Sequence, residues 1–176
     1  AVEPERLQWV YNILEGTAEQ DRVLVHDKDE RDGFVLVPDF KWKDLADVEH
    51  LYYLAIVQRR DLASIRDLRA EHLPLLRYVR EKGLAAIEAA HGIGREGVRV
   101  YVHYQPSFYH LHVHFVSASH ALPGTSLQAG RAHLLDDVME NLRLLPEYYS
   151  SVALAQVLPT SHELVGLFRA EAQKKT

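Results

Sequence analysis

Residues 110–116 read HLHVHFV, with a histidine at every second position and apolar side chains between. In a β-strand successive side chains point to opposite faces, so His110, His112 and His114 share one face. A helix scatters positions two apart, and the flanking valines and aromatic residues favour a strand. The expected product is a sheet with three adjacent imidazoles on one face and an apolar stripe toward the core on the other.

Working outward, VRVYVHY (98–104) alternates in the same way, with valines on one face and Arg99, Tyr101 and His103 on the other. Gln105-Pro106-Ser107 interrupts it, so this strand and the histidine strand are expected to pair antiparallel. RVLVHD (22–27) and GFVLVPD (33–39), joined by the polar turn KDERD, read as a hairpin, and LYYLAIVQR (51–59) reads as a further strand. Leu7, Val10, Tyr11 and Leu14 recur at helical spacing before Gly16, which predicts a helix near 4–15. A longer helix is expected over 71–90, with Pro74 in its first turn, where proline is tolerated. ALPGTSLQAG (121–130) reads as a loop, GRAHLLDDVMENLRLLP (130–146) carries a helix, VALAQVL (152–158) reads as a strand, and the C-terminal end is helical. With hairpins dominating and no repeat or linker visible, the expectation is one α+β domain over 1–176, an antiparallel sheet with flanking helices.

The composition narrows the chemistry. Twenty basic against 25 acidic residues leave a net charge of -5, which argues against a protein that grips long nucleic acid through a basic face. A small nucleotide is compatible, because one pocket can be basic on an acidic protein. There are no cysteines, so disulfides, thiolate metal sites and cysteine nucleophiles are excluded. The first twenty residues lack a basic start followed by an apolar run, and the most apolar run, LYYLAIV (51–57), is too short to span a membrane as a helix.

GIGREG (92–97) has the glycine spacing of a dinucleotide-binding fingerprint. That motif requires a strand before it and a helix after it, and here the order is reversed, so it reads as an ordinary loop. His110, His112 and His114 admit three readings. They could form a polar, solvated sheet face. They could bind a metal, although three imidazoles along one straight strand span about 13 Å and one ion reaches two of them at most. Or they could serve nucleophilic catalysis, a neutral imidazole attacking phosphorus while its neighbours fix the tautomer and donate to phosphate oxygens. His112, with a partner on each side, is then the natural nucleophile.

The pattern of three histidines alternating with apolar residues resembles the signature of the histidine triad superfamily of nucleotide hydrolases and transferases. DGFVLVPDFKW (32–42), RRDLASIRDLRAEHLPLLR (59–77), VRVYVHYQPSFYHLHVHF (98–115) and GRAHLLDDVMENL (130–142) are similar, in order, to one family within it, the scavenger mRNA decapping enzymes. LQWVYNILEGTAEQDRV (7–23) resembles that family's entry into its catalytic domain. The resemblance implies hydrolysis of the 5′ cap on short mRNA fragments, releasing 7-methyl-GMP through a nucleotidyl intermediate on His112. It implies that His110 and His114 orient His112 and bind phosphate oxygens, with further phosphate contacts from His103, Ser107 and Arg131, and no metal or other cofactor. It places the cap pocket at Trp9, Glu19, Asp39 and Lys41. Methylation at N7 makes guanine cationic, and a cationic ring gains roughly 0.5–2 kcal/mol on an indole face. Glu19 can accept charge-assisted hydrogen bonds from the guanine N1 and N2 hydrogens. Without the resemblance, Trp9 reads as a core residue beside Leu7 and Val10, and Asp39 and Lys41 as turn residues after Pro38.

The resemblance also implies a homodimer acting on capped dinucleotide or short capped RNA, in the cytoplasm or nucleus. A general dinucleoside polyphosphate hydrolase or phosphoramidase, and a cap-binding module without efficient turnover, are the alternatives. Two departures from the family are visible. Phe108 stands where tyrosine is usual, and the segment from His114 to Arg131 is about two residues longer. The family has an N-terminal domain that closes over the site, with no counterpart among these residues. The expectation is therefore weak binding of 7-methyl-GMP, slow or no turnover, and poor discrimination against long capped RNA.

Overall fold

The computed structural model describes residues 7–120, 130–155, 160 and 163–174. Six strands form one sheet: β1 (Val25–His26), β2 (Phe34–Pro38), β3 (Tyr52–Val57), β4 (Val98–His103), β5 (His112–Ser117) and β6 (Ala132–Leu134). Their spatial order is β1-β2-β3-β5-β4-β6, every neighbouring pair antiparallel. The expected hairpin of β1 and β2 forms with Val25 opposite Leu36, and the strands of VRVYVHY and HLHVHFV pair as expected, with Tyr101 opposite His114.

Register decides which side chains share a face. His112 lies opposite Ile56 and His114 opposite Leu54 on β3, and Val37 lies opposite Leu54 on β2. Side chains on paired positions share a face, so Val37, Leu54, Ile56, Tyr101, His112 and His114 line one side of the sheet. Val113 and Phe115 point to the other side and are fully buried. There α2 (Leu73–His91) covers the sheet with Leu75, Leu76, Val79, Leu84 and Ile87, all buried. Pro74 sits in the first turn of α2 and Gly92, at φ 69°, ends it. Helix α3 (Leu135–Leu144) joins that layer through buried Leu135, Val138 and Leu142, with an Arg80–Asp136 ion pair to α2.

On the histidine side, α1 (Gln8–Glu15) seats Val10, Ile13 and Leu14 in the core and stops at Gly16, whose φ of 75° needs the left-handed region. Two further helices, α4 (Tyr148–Ser151) and α5 (Glu163–Gln173), follow. Among the described residues no helix is long and apolar enough to cross a membrane.

Three expectations need correction. First, the strand expected over 110–116 begins only at His112. Leu111 O still accepts from Val57 N–H at the end of β3, at 3.3 Å, but Leu111 N–H turns to Leu62 O in the loop after β3, so the ladder ends there and His110 is not a strand residue. Second, Val152–Ala155 form no strand, and 156–158 lie outside the described residues. Val152 and Leu154 pack against the core, but the Val152 carbonyl accepts from Arg66 Nη1 at 2.6 Å and not from a neighbouring strand. Third, β6 forms within a stretch read as helix alone. The GIGREG segment is a loop, as expected, and 121–129 lie outside the described residues.

Gly83 sits where α2 meets the sheet, and a Cβ there would lie 2.6 Å from Phe115 Cζ. Overpacking costs about 1–3 kcal/mol and the helix gains at most about 1 kcal/mol from alanine. Gly83→Ala should therefore lower stability by about 1–2 kcal/mol in urea unfolding. An unchanged midpoint would contradict the tight α2–sheet contact.

Candidate functional site

A cavity of about 590 Å³ opens on the histidine side of the sheet. Its floor is His112 and His114 of β5 with Val37, Leu54 and Ile56, and Trp9 and Ile13 of α1 close one side. Glu19, Asp39, Lys41, His103, Ser107 and Arg131 complete the rim together with Arg22, Phe40 and Phe108. Every residue named from the sequence as a site residue lines this cavity except His110.

His110 acts from behind. Its own Nε2–H donates to the Val57 carbonyl at 2.8 Å, and its backbone carbonyl lies 2.8 Å from His112 Nδ1. A carbonyl only accepts, so His112 Nδ1 carries the proton and Nε2 of the neutral ring is a lone pair. His114 Nδ1 lies 2.9 Å from the Tyr52 hydroxyl. Neither His112 Nε2 nor His114 Nε2 has a hydrogen-bond partner among the described residues, and both are buried. The two rings are 4.9 Å apart, with His103 4.2 Å from His114. With each ring bonded through one nitrogen, and His110 outside the cavity, the three histidines do not converge on one point. A solvated face is excluded, since all three side chains are buried.

Burial sets the charge state. The cost of placing an imidazolium away from water lowers the His112 pKa to about 4 against 6.5, and lowers that of His114 well below 6.5. The neighbouring His103 and Lys41 groups add to the effect on both, and Arg131 adds to it on His114. The cavity lining carries Arg22, Lys41 and Arg131 against Glu19 and Asp39, a positive balance on a protein of net charge -5. Desolvation also raises the pKa of Asp39, against the hydrogen bond its Oδ1 accepts from Lys41 N–H at 2.8 Å.

An aromatic train runs from the rim to the floor. Trp9, 44% exposed, meets Phe108 edge-on at 4.8 Å, and Phe108 stacks on His112 at 4.0 Å with 13° between the rings. Trp9 is therefore no core residue. Phe40, 69% exposed, stands at the rim with the Lys41 ammonium 5.7 Å from its ring centre. Glu19 adopts a left-handed backbone conformation, φ 57°, and its Oε2 accepts from Arg22 Nη1 at 2.7 Å. Two further rim residues, Arg22 and Phe40, are not among those expected from the sequence. The i,i+3 charge spacing from Glu19 to Arg22 was a usable signal for the first, and Phe40, lying between Asp39 and Lys41, for the second.

This fold and this imidazole-floored cavity define a histidine triad domain. Residues 8–130 match the family described as "Scavenger mRNA decapping enzyme C-term binding", and the chain belongs to that family. The m7GpppX diphosphatase of Ascaris suum is 49% identical over 148 residues, covering 84% of this chain and 48% of that protein. The Homo sapiens protein of the same name is 45% identical over 168 residues, 96% of this chain and 49% of that protein. That of Schizosaccharomyces pombe is 40% identical over 159 residues, 90% and 52% respectively. The chain spans about half the length of the curated relatives it matches. Among solved structures, Hnt3 in complex with DNA and guanosine covers 94% of this chain and 93% of its own at 16% identity, with a TM-score of 0.48.

The depressed basicity of His112 has a direct readout. Its ring should titrate with a midpoint near 4 in a nuclear magnetic resonance pH series, where a midpoint near the ordinary 6.5 would contradict the desolvated site. The unfolded ring protonates first as pH falls, so this group withdraws stability as pH drops from 6.5 toward 4 and leaves it intact above 6.5.

Proposed function

We propose that this chain carries the catalytic site of a cap hydrolase. It cleaves the 7-methylguanosine 5′ cap from capped dinucleotides or short capped mRNA fragments and releases 7-methyl-GMP. The observation that carries this reading is the His112 ring, held by the His110 carbonyl so that an unpartnered Nε2 lone pair lies in a cationic cavity below an exposed indole. Family membership and the m7GpppX diphosphatase relatives support the same substrate class.

In this reading His112 Nε2 attacks the phosphorus next to the methylated nucleoside. The bond from phosphorus to the bridging oxygen breaks, and the rest of the cap leaves as a nucleoside diphosphate or its short RNA equivalent. A water oxygen then bonds to the phosphorus, one water proton departs, and the P–N bond returns its electron pair to Nε2. His114, His103, Ser107, Lys41 and Arg131 face the phosphate chain. A single well-aimed donor of this kind contributes about 10²–10³ in rate. His110 positions His112 through its carbonyl and does not touch phosphate. The 7-methylguanine ring lies against Trp9, with Glu19 and Asp39 taking its hydrogen-bonding edge.

We further propose a homodimer over the 176-residue domain. The exposed Leu134 before α3 and Leu144 and Leu145 at its end support an apolar contact there. Sedimentation at micromolar concentration should give a species of twice the 20.1 kDa chain mass.

The test is product analysis with methylated and unmethylated capped dinucleotide. Methylated substrate should yield 7-methyl-GMP and a nucleoside diphosphate. Equal cleavage of both substrates would favour a general dinucleoside polyphosphate hydrolase, and binding without product a cap-binding module. His112→Asn should keep cap binding while turnover falls by about 10³-fold or more. A loss within about tenfold would overturn the nucleophile assignment. Trp9→Ala should weaken 7-methyl-GMP far more than GMP, by up to about 2 kcal/mol. An equal loss for both would make Trp9 a packing residue only.

A further inference from the structure

Tyr52, on β3, is fully buried, and no role follows for it from the motif. Its hydroxyl lies 2.9 Å from His114 Nδ1, and the buried His114 Nε2 has no partner among the described residues. The Tyr101 ring lies parallel to His114, 4.9 Å away with 9° between planes, so the imidazole is fixed in orientation. What the cavity meets at this point depends on which ring nitrogen holds the proton.

We propose that Tyr52 is a positioning residue: it donates its hydroxyl proton to His114 Nδ1 and so holds the His114 proton on Nε2, the reverse of His112. The cavity floor then presents one imidazole lone pair and one imidazole N–H side by side.

Hydrogen-bond complementarity decides which ring nitrogen holds the proton. His112 is Nδ1–H because its partner is a carbonyl, which has no proton to give. Tyr52 can do either, since a phenol donates one proton and accepts as well. If Tyr52 accepted, His114 would be Nδ1–H and its Nε2 would be a second lone pair, beside the His112 lone pair with ring centres 4.9 Å apart. Both would then face a phosphate whose oxygens only accept. If Tyr52 donates, His114 Nε2–H meets those oxygens with a proton. Burial keeps the ring from carrying both protons, because the His114 pKa lies well below 6.5. The Lys41 ammonium, 5.5 Å from the Tyr52 ring centre, draws electron density from the phenol and strengthens it as a donor.

The tautomers belong to the protein alone, whereas the use made of the donor rests on the hydrolase reading. The test has an arm for each. The chain is prepared with histidine isotopically labelled at both ring nitrogens, with His112→Asn and His114→Asn assigning the signals. Spectra near neutral pH should place the His112 proton on Nδ1 and the His114 proton on Nε2. A His114 proton on Nδ1 overturns the proposal, whatever the activity. In Tyr52→Phe, the His114 Nδ1 signal should move to the position of a nitrogen without a hydrogen bond. Turnover of capped dinucleotide per folded molecule should fall about tenfold or more with KM nearly unchanged, because the donor acts mainly in the transition state. Turnover within twofold of the parent, in a folded variant, overturns the positioning role, as does an unmoved Nδ1 signal. If that variant does not fold, the parent spectra still decide. Because turnover by this domain is expected to be slow, the assay is run with the chain in excess over capped dinucleotide; no cleavage even then counts against the hydrolase reading, while the spectra still uphold or overturn the tautomer assignment.

Discussion

The hydrogen bond from His112 Nδ1–H to the His110 carbonyl, 2.8 Å, is the contact on which the site depends. It exists because the chain enters β5 irregularly. Gln105-Pro106-Ser107 ends the preceding segment, Leu111 bonds through its carbonyl to Val57 and through its N–H to Leu62 beyond the end of β3, and the strand proper begins at His112. The His110 carbonyl can then turn to a side chain two residues on. That single acceptor fixes the tautomer of His112, and the tautomer decides that the free nitrogen is a base.

The arrangement works against stability. Each buried Nε2 left without a partner costs about 1–3 kcal/mol, and an apolar side chain at either position would avoid it. The surrounding core offsets the cost. Val113, Phe115, Leu36, Ala55 and Ile56 are fully buried around the same strands, and each large apolar side chain contributes about 1.5–3 kcal/mol. Burial that is unfavourable for a proton is useful for a nucleophile, since a ring that ionises near 4 stays a free base at neutral pH. Lys41 reinforces this from the rim, Arg131 does the same for His114, and the same charges favour a phosphate chain.

Much of this was legible in the sequence because alternation reports burial and pairing together. The β1–β2 hairpin, β3, the β4–β5 pair and both long helices follow from period and punctuation. The floor histidines follow from the same alternation, and the rim from a family resemblance that spacing alone does not supply. Where alternation and pairing part company, the reading failed. Val152 and Leu154 alternate because they pack on the core, but Arg66 takes the backbone carbonyl a strand would need. The three residues of β6 have no periodicity to display, and they become a strand only because β4 offers a free edge. His110 belongs to the motif but not to the strand, since its position depends on a loop contact with Leu62 that no local pattern encodes.

The central claim is that His112 Nε2 bonds to phosphorus during turnover, so that water meets the nucleotide only in a second displacement. The stereochemistry at phosphorus tests this without needing the intermediate to accumulate. A cap dinucleotide made chiral by sulfur and an oxygen isotope at the phosphate next to 7-methylguanosine is hydrolysed in water of a third oxygen isotope. Two successive in-line displacements predict net retention of configuration in the released 7-methyl-GMP thio-analogue. Net inversion would mean a single attack by water, and would contradict the account.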